Sequence, residues 1–415
     1  MTENSIPHLC IVVENHFRGG VETNLISLLN AFVKLPIRIT IITNSSNPSL
    51  EQISLNNYVN LNIFSLNEIS TRRFYALDAS RHRGTDRAIR ILKNIYRKIL
   101  EIPFLYLSIG VYKRLFAEKS FDACLIINGG YPGSLTSRAA AIGWGLSKTS
   151  SPIAMAVHAF VVPSRRGLQI IERKIDLKVL RSVNYLITVS ESCRRSFPLR
   201  DSMAHRDVIV IPNGIKHTSD VIQNYNMFSQ KGSVLMLGSY QIGKGHEFLF
   251  KCFARVLLVV PSAKLICAGD DPMGNIPIMS DLLTNLNIHN SVELRTHHNN
   301  PKSLIENCDL VAIPSQYAES YCLVAAEALS CGKPIVATNV GAIPETSPDG
   351  QGSLLFDADD IAGFSSAMIN LLTDSDLYNR TANLAFERSK SLSNEHSAAL
   401  SYLNLLFPSK FASSK

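Results

Sequence analysis

The stretch A-I-P-S-Q-Y-A-E-S-Y-C-L-V-A-A-E-A-L-S-C-G-K-P-I-V-A-T, Ala312 to Thr338, decides the fold. It reads as a short apolar strand, a loop shaped by Pro314 and Ser315, an alanine-rich helix, a tight turn and a second β-branched strand, which is one βαβ unit. Two carboxylates, Glu319 and Glu327, stand eight residues apart in it. The pattern predicts Glu319 at the mouth of the helix, with Ser320 as its N-cap. It places Glu327 about two turns deeper, roughly 12 Å along a continuous helix. A charge among Leu323, Val324, Ala325, Ala326, Ala328 and Leu329 must find donors or lose its charge. A hydroxyl-rich ligand at the carboxyl edge of a parallel sheet would supply them.

The same alternation extends in both directions. Strand-like runs fall at 9–15, 37–43, 61–66, 123–128, 153–158, 185–190 and 208–213. A second series follows at 233–239, 263–270, 292–296, 309–315, 334–339 and 353–356, with helical patterns between most of them. This predicts an α/β chain of two doubly wound, mainly parallel sheets, with ligands beyond the carboxyl ends of the strands. The polar stretch after Asn213, from Gly214 to Ser233, reads as the linker, giving domains at 1–215 and 216–393.

The 415 residues suffice for two cores, and 46% hydrophobic content suits a soluble chain. No run reaches transmembrane length; the most apolar, Ile102 to Tyr112, is short and contains Pro103 and Gly110. The start, M-T-E-N-S-I-P-H, lacks a basic flank and an apolar core, so the expectation is a cytoplasmic chain. Eight cysteines without C-x-x-C spacing indicate buried thiols, and neither they nor the adjacent His297 and His298 form a metal-ligand set. No protein-bound metal is expected.

The net charge of +7 is uneven: residues 72–119 hold twelve Lys/Arg against four Asp/Glu. Within this patch Ile91, Ile95 and Ile99 recur at helical spacing. The segment is either a core-packing helix with a solvated basic face or a contact for anionic phospholipid or a lipid-diphosphate acceptor, peripheral at the inner face of a membrane. No aromatic-basic interleaving supports nucleic acid.

Several strand exits carry candidate chemistry. In L-G-S-Y-Q-I-G-K-G-H, Leu237 to His246, the glycines allow close backbone approach and Lys244 can meet a phosphate. The loop F-R-G-G-V-E-T-N, Phe17 to Asn24, opens a helix but is not a dinucleotide fingerprint. His158 ends its strand, with Arg165 and Arg166 nearby, and I-I-N-G-G-Y-P-G ends another at Asn128, Gly129 and Gly130. Asp270 and Asp271 read as a turn and helix cap rather than a metal pair.

The spacing of Glu319 and Glu327, the flanking I-P-S, E-A-L-S-C-G-K-P-I-V-A-T and G-A-I-P-E (Gly341 to Glu345), and the G-K-G and G-G-x-E loops resemble the E-x7-E family 4 glycosyltransferases. The resemblance implies the GT-B fold, two Rossmann-like domains facing a central cleft, with a C-terminal helix (here 394–415) returning to the first domain. It implies a retaining, metal-independent hexosyltransferase. No cofactor is implied, and the donor is a nucleotide-diphospho-sugar, with UDP- or GDP-sugar favoured. Carried over by position, Glu319 would hold sugar hydroxyls, Glu327 the ribose hydroxyls and Lys244 the diphosphate. Gly19, Gly20, Gly238, Gly245, Pro314, Ser315, Ser320, Cys322 and Leu323 would shape the donor site, and Arg295 would lie towards the base. His158 would stand by the transferred sugar, with Asn128, Gly129, Gly130 and Arg165 on the acceptor side. Catalytic roles fall to Glu319, His158 and Lys244. Two departures stand out: Ser239 where the family usually has Arg, and Tyr321-Cys322 where it commonly has Phe-Gly. The acceptor expected is a glycan or lipid-linked glycan of surface polysaccharide or lipopolysaccharide synthesis. A sugar-nucleotide epimerase and a non-catalytic sugar-nucleotide-binding subunit remain alternatives.

Overall fold

Every strand-like run forms a strand in the computed structural model, which describes residues 6–16, 19–45, 47, 53, 61–66, 87–147, 150–216, 232–296 and 301–411. The first series gives β1 (His8–Val13), β2 (Arg38–Asn44), β3 (Leu61–Leu66), β4 (Ala123–Asn128), β5 (Ile153–Val157), β6 (Tyr185–Thr188) and β7 (Val208–Val210). They pair in the order β3-β2-β1-β4-β5-β6-β7, all parallel. The second series gives β8 (Ser233–Leu237), β9 (Lys264–Ala268), β10 (Val292–Arg295), β11 (Leu310–Ile313), β12 (Ile335–Thr338) and β13 (Ser353–Phe356). Their order is β10-β9-β8-β11-β12-β13, again all parallel. Both sheets are therefore Rossmann-like, and each reverses its strand order once, at β1/β4 and at β8/β11.

Burial on both faces explains the continuous apolar runs. In β1, Cys10 and Val12 enter one core while Leu9, Ile11 and Val13 enter the other. β8 divides likewise, with Val234 and Met236 on one face and Leu235 on the other. The eight cysteines are buried free thiols.

The chain forms two compact units. One comprises Met1–Val189, Cys193–Pro212 and Glu395–Lys415; the other comprises Ser190–Ser192 and Asn213–Asn394. In the first unit one face is covered by the helices Arg87–Glu118, Leu135–Leu146 and Gln169–Ser182. The other face is covered by the helix Gly20–Phe32 and the C-terminal helix Glu395–Leu406. Ala398, Ala399, Tyr402, Leu403 and Leu406 share a core with Leu25, Leu28 and Leu29. Much of the basic segment (72–86), the side chains of 87–99, most of the linker (217–231), Phe17, Arg18, His297 and His298 lie outside the described residues.

Leu403 is fully buried, whereas Leu107 on the long helix is 72% exposed. Leu403→Ala should cost about 2–5 kcal/mol through lost burial and a cavity, and Leu107→Ala less than about 0.5 kcal/mol. Urea denaturation of both variants measures the contrast.

Candidate active site

In the second unit the reversal at β8/β11 sets two strand exits side by side. The first runs from Gly238 through a 3-10 turn at Ile242–Lys244 into the helix His246–Val259. The second runs from Pro314 to Cys322 and into the helix Leu323–Ser330. They touch at Gly245, whose φ is 80° and whose absent Cβ would fall 1.8 Å from the Pro314 carbonyl oxygen. The Gln316 amide also donates to the Gly243 carbonyl at 2.9 Å. This contact explains the glycine after Lys244: any side chain would part the loops.

Lys244 thereby reaches Glu319, with which it forms an ion pair through Nζ and Oε1. Ser315 Oγ donates to the same oxygen at 2.7 Å. Glu319 is buried, and its carbonyl accepts from the Ala342 amide at 2.8 Å. Gly341, at φ 59°, lets that backbone approach, since a Cβ there would lie 2.4 Å from the Glu319 carbonyl oxygen. Burial opposes the charge on Lys244, but the Glu319 carboxylate outweighs it and holds the lysine pKa above its ordinary value.

The helix differs from the expected one. It starts at Leu323, so Glu319 lies in the loop before it, and the N-cap is Cys322 rather than Ser320. Cys322 has φ 65°, a left-handed conformation that suits the family's glycine. The Leu323 and Val324 amides precede the first intrahelical hydrogen bond, which the Ala325 amide makes to the Cys322 carbonyl at 3.0 Å, and they favour an anion. Glu327 sits one turn in. It is partly buried, its carboxylate has no hydrogen-bond or ion-pair partner among the described residues, and burial pushes its pKa up to about 7.

Two residues found only in the structure brace the first loop. The buried Tyr240 donates its hydroxyl to the carbonyls of Cys267 (2.6 Å) and Arg295 (3.2 Å). His246 stacks on it with ring centroids 4.9 Å apart. Burial and the neighbouring Lys244 push the His246 pKa down to about 4, so its ring is neutral. Arg295 itself is half-buried and forked onto Glu293 at 2.5 and 2.7 Å. Asp271 accepts from the amides of Asn275 and Ile276, at the head of the helix Ile276–Asn285.

In the first unit, His158 and Asn128 come together: the His158 amide donates to the Asn128 carbonyl at 2.8 Å. The His158 ring lies 3.5 Å from the Asn24 amide on the helix that Gly19 and Gly20 open. Gly130 borders the same strand exit, against Phe160. Arg165 stands apart from them. Its guanidinium forks onto Glu101 at 2.8 Å through both terminal nitrogens and also meets Glu172. Glu172 and Asp176 in turn hold the fully buried Arg200 at 3.0 and 2.9 Å. Sequence reading missed a polar cluster at the β1 exit. Thr136 donates to Glu14, His16 Nε2 lies 2.7 Å from Glu14, and Asn44 Nδ2 lies 3.2 Å from His16 Nδ1. Glu14 had been visible only as the tail of an apolar strand.

Residues 18–219 match the profile of Glycosyltransferase Family 4, and residues 231–374 that of Glycosyl transferases group 1. The chain belongs to the family 4 glycosyltransferases. It is 28% identical over 165 residues to an N-acetyl-alpha-D-glucosaminyl L-malate synthase of Bacillus anthracis, covering 40% of this chain and 42% of that one. It is 30% identical over 169 residues to a D-inositol 3-phosphate glycosyltransferase of Corynebacterium efficiens, covering 39% of each. These matches thus span about two fifths of either relative's length. In structure, the chain resembles Anabaena HepE, solved with UDP and glucose, at TM-score 0.70 and 15% identity, covering 96% of this chain and 99% of that one. The fold is GT-B.

The family's Phe-Gly gives a first expectation. Tyr321 is buried, and its hydroxyl has no hydrogen-bond partner among the described residues. Tyr321→Phe should stabilise the protein by about 1 kcal/mol, since a buried unsatisfied hydroxyl is costly; thermal unfolding reads the gain.

Glu327 gives a second. Unliganded, the folded carboxyl (about 7) holds its proton more tightly than the unfolded one (4.5), so its contribution to stability falls as pH rises through that window. A ligand donating hydroxyl hydrogen bonds favours the carboxylate and releases the proton. Nucleotide-sugar affinity should therefore rise between about pH 6 and 8 in the wild type, and that slope should vanish in Glu327→Gln. Calorimetry in two buffers of different ionisation heat measures the proton released.

Proposed function

We propose that this family 4 enzyme is a retaining, metal-independent hexosyltransferase. It moves a sugar from a UDP- or GDP-sugar to a glycan or lipid-linked acceptor in surface polysaccharide synthesis. The observation that carries the reading is the arrangement at the β8/β11 reversal. A cation and a buried acid meet before a helix N-terminus, and an acid with no partner among the described residues lies one turn inside. A diphosphate fits the Lys244 ammonium and the amides of Leu323 and Val324. Sugar hydroxyls fit Glu319, and the ribose diol fits Glu327. The solved neighbour that holds UDP and glucose supports this donor class.

In the proposed reaction the bond between the sugar anomeric carbon and the β-phosphate oxygen breaks as charge develops on that oxygen. Lys244 and the helix amides stabilise the charge. The acceptor hydroxyl oxygen attacks the anomeric carbon on the same face, and its proton passes to the departing phosphate. No side chain of the enzyme forms a covalent intermediate. In the first unit, His158, Asn128 and the Gly19-Gly20 turn offer hydrogen-bonding groups suited to an acceptor hydroxyl and the transferred sugar. The relatives named for malate and inositol 3-phosphate join sugars to small hydroxylated acceptors.

Residues 72–119, with their net charge of +8, support peripheral binding to an anionic membrane. Tyr106, Leu107 and Val111 are exposed on the helix Arg87–Glu118, beside exposed Lys113 and Arg114. No helix among the described residues is long and apolar enough to cross a membrane.

The test is thermal stabilisation by UDP, GDP, ADP, CMP and TDP. A nucleotide at 100 times its dissociation constant adds about 2.7 kcal/mol. One nucleoside diphosphate should stabilise the wild type and fail to stabilise Glu327→Ala, with the matching nucleotide sugar then turned over onto an acceptor. Equal affinity in the variant would remove Glu327 from the donor site. Binding without transfer to any acceptor would favour the non-catalytic reading, to which Ser239 gives weight.

A further inference from the structure

Lys244 reaches the donor loop already committed to Glu319. The two charges cancel, and the adjacent His246 is neutral at physiological pH. A phosphate approaching the Leu323 helix therefore meets amide dipoles, and it gains the ammonium only in competition with a carboxylate. That carboxylate is a fixed anion. Ser315 holds one oxygen, the Ala342 amide holds the backbone, and the left-handed Gly341 lets that backbone pack closely against it.

The competition affects substrate and product differently. The diphosphate of a nucleotide sugar carries about two negative charges, and its sugar brings hydroxyls that can donate to Glu319. The nucleoside diphosphate left after transfer carries close to three, because its terminal phosphate has a second pKa of about 6. It brings no sugar hydroxyl to Glu319. Taking the donor site as assigned above, we propose that Glu319 is a product-release residue. Its carboxylate competes with the diphosphate for Lys244 and so favours the nucleotide sugar over the spent nucleotide.

The experiment is calorimetric binding of UDP, UDP-glucose, GDP and GDP-mannose to wild type, Glu319→Gln and Glu247→Gln. Glu247→Gln removes an exposed carboxylate that pairs with Lys251 and has no contact with Lys244. Glu319→Gln should bind the bare nucleoside diphosphate about tenfold tighter or more, a lower bound well inside the interaction of close unit charges at an effective dielectric near 20. The gain should shrink in high salt, and the nucleotide sugar should gain little or lose affinity. Glu247→Gln should match the wild type. Glu319→Ser repeats the measurement should the amide variant not fold. Equal or weaker binding of the bare nucleotide in a folded Glu319 variant overturns the inference while leaving the donor site in place. Failure of every nucleotide to bind wild type and variants alike removes the donor site itself.

Discussion

The approach of Gly245 to the Pro314 carbonyl is the constraint on which the second unit's chemistry depends. Strand-order reversal brings the exits of β8 and β11 together, but it fixes no side chain. The missing Cβ does, because the loops close to a distance that only glycine permits. Lys244, one residue earlier, then projects towards Glu319 instead of solvent. Gly341 does the same for the other partner, admitting the Glu319 backbone where a side chain would exclude it. A rigid pair of opposite charges results, built from main-chain contacts, and such support lets a weakly exposed ion pair hold one geometry.

The buried acids of this chain separate by how they are satisfied. Glu172 and Asp176 are saturated by Arg165 and Arg200, with Tyr131 and Ser202 adding hydrogen bonds to Asp176. Breaking such a network leaves an uncompensated buried charge, so its value is structural: it ties the 160s loop to two helices. Glu319 is satisfied by groups that a phosphate could redirect. Glu327 has no partner among the described residues and stores the consequence as a pKa near neutrality. Acids left incompletely satisfied beside a helix N-terminus are the ones expected to meet a ligand. Arg165 illustrates the converse, a cation near a strand exit whose donors are spent on its own fold.

The fold was legible because strands buried on both faces are written as apolar runs, and each such run formed a strand within three residues of its expected ends. The stretch that carries the E-x7-E spacing was legible as a loop that runs into a helix. Spacing alone could not show that four residues, Glu319 to Cys322, stay outside the helix, since a left-handed Cys322 is a non-glycine departure that propensity does not anticipate. Side-chain commitments were equally hidden. Arg295 pairs with Glu293 two residues away on its own strand, and Arg165 with Glu101, sixty-four residues earlier. The Glu14, His16, Asn44 and Thr136 cluster draws on three strand exits, so no local pattern announces it.

Two sheets with the same reversal carry different chemistry at it, and the difference supports the proposed division of labour. At the β8/β11 reversal stand a lysine, a helix N-terminus and two acids, a set that answers phosphate and diol groups. At the β1/β4 reversal the described side chains are the amides of Asn24, Asn44 and Asn128, the imidazoles of His16 and His158, the Thr136 hydroxyl and the Glu14 carboxylate. These groups both donate and accept at short range, and they suit neutral hydroxyls. In the proposed transfer the leaving diphosphate is met by positive charge, whereas the attacking hydroxyl is oriented by groups that donate and accept hydrogen bonds.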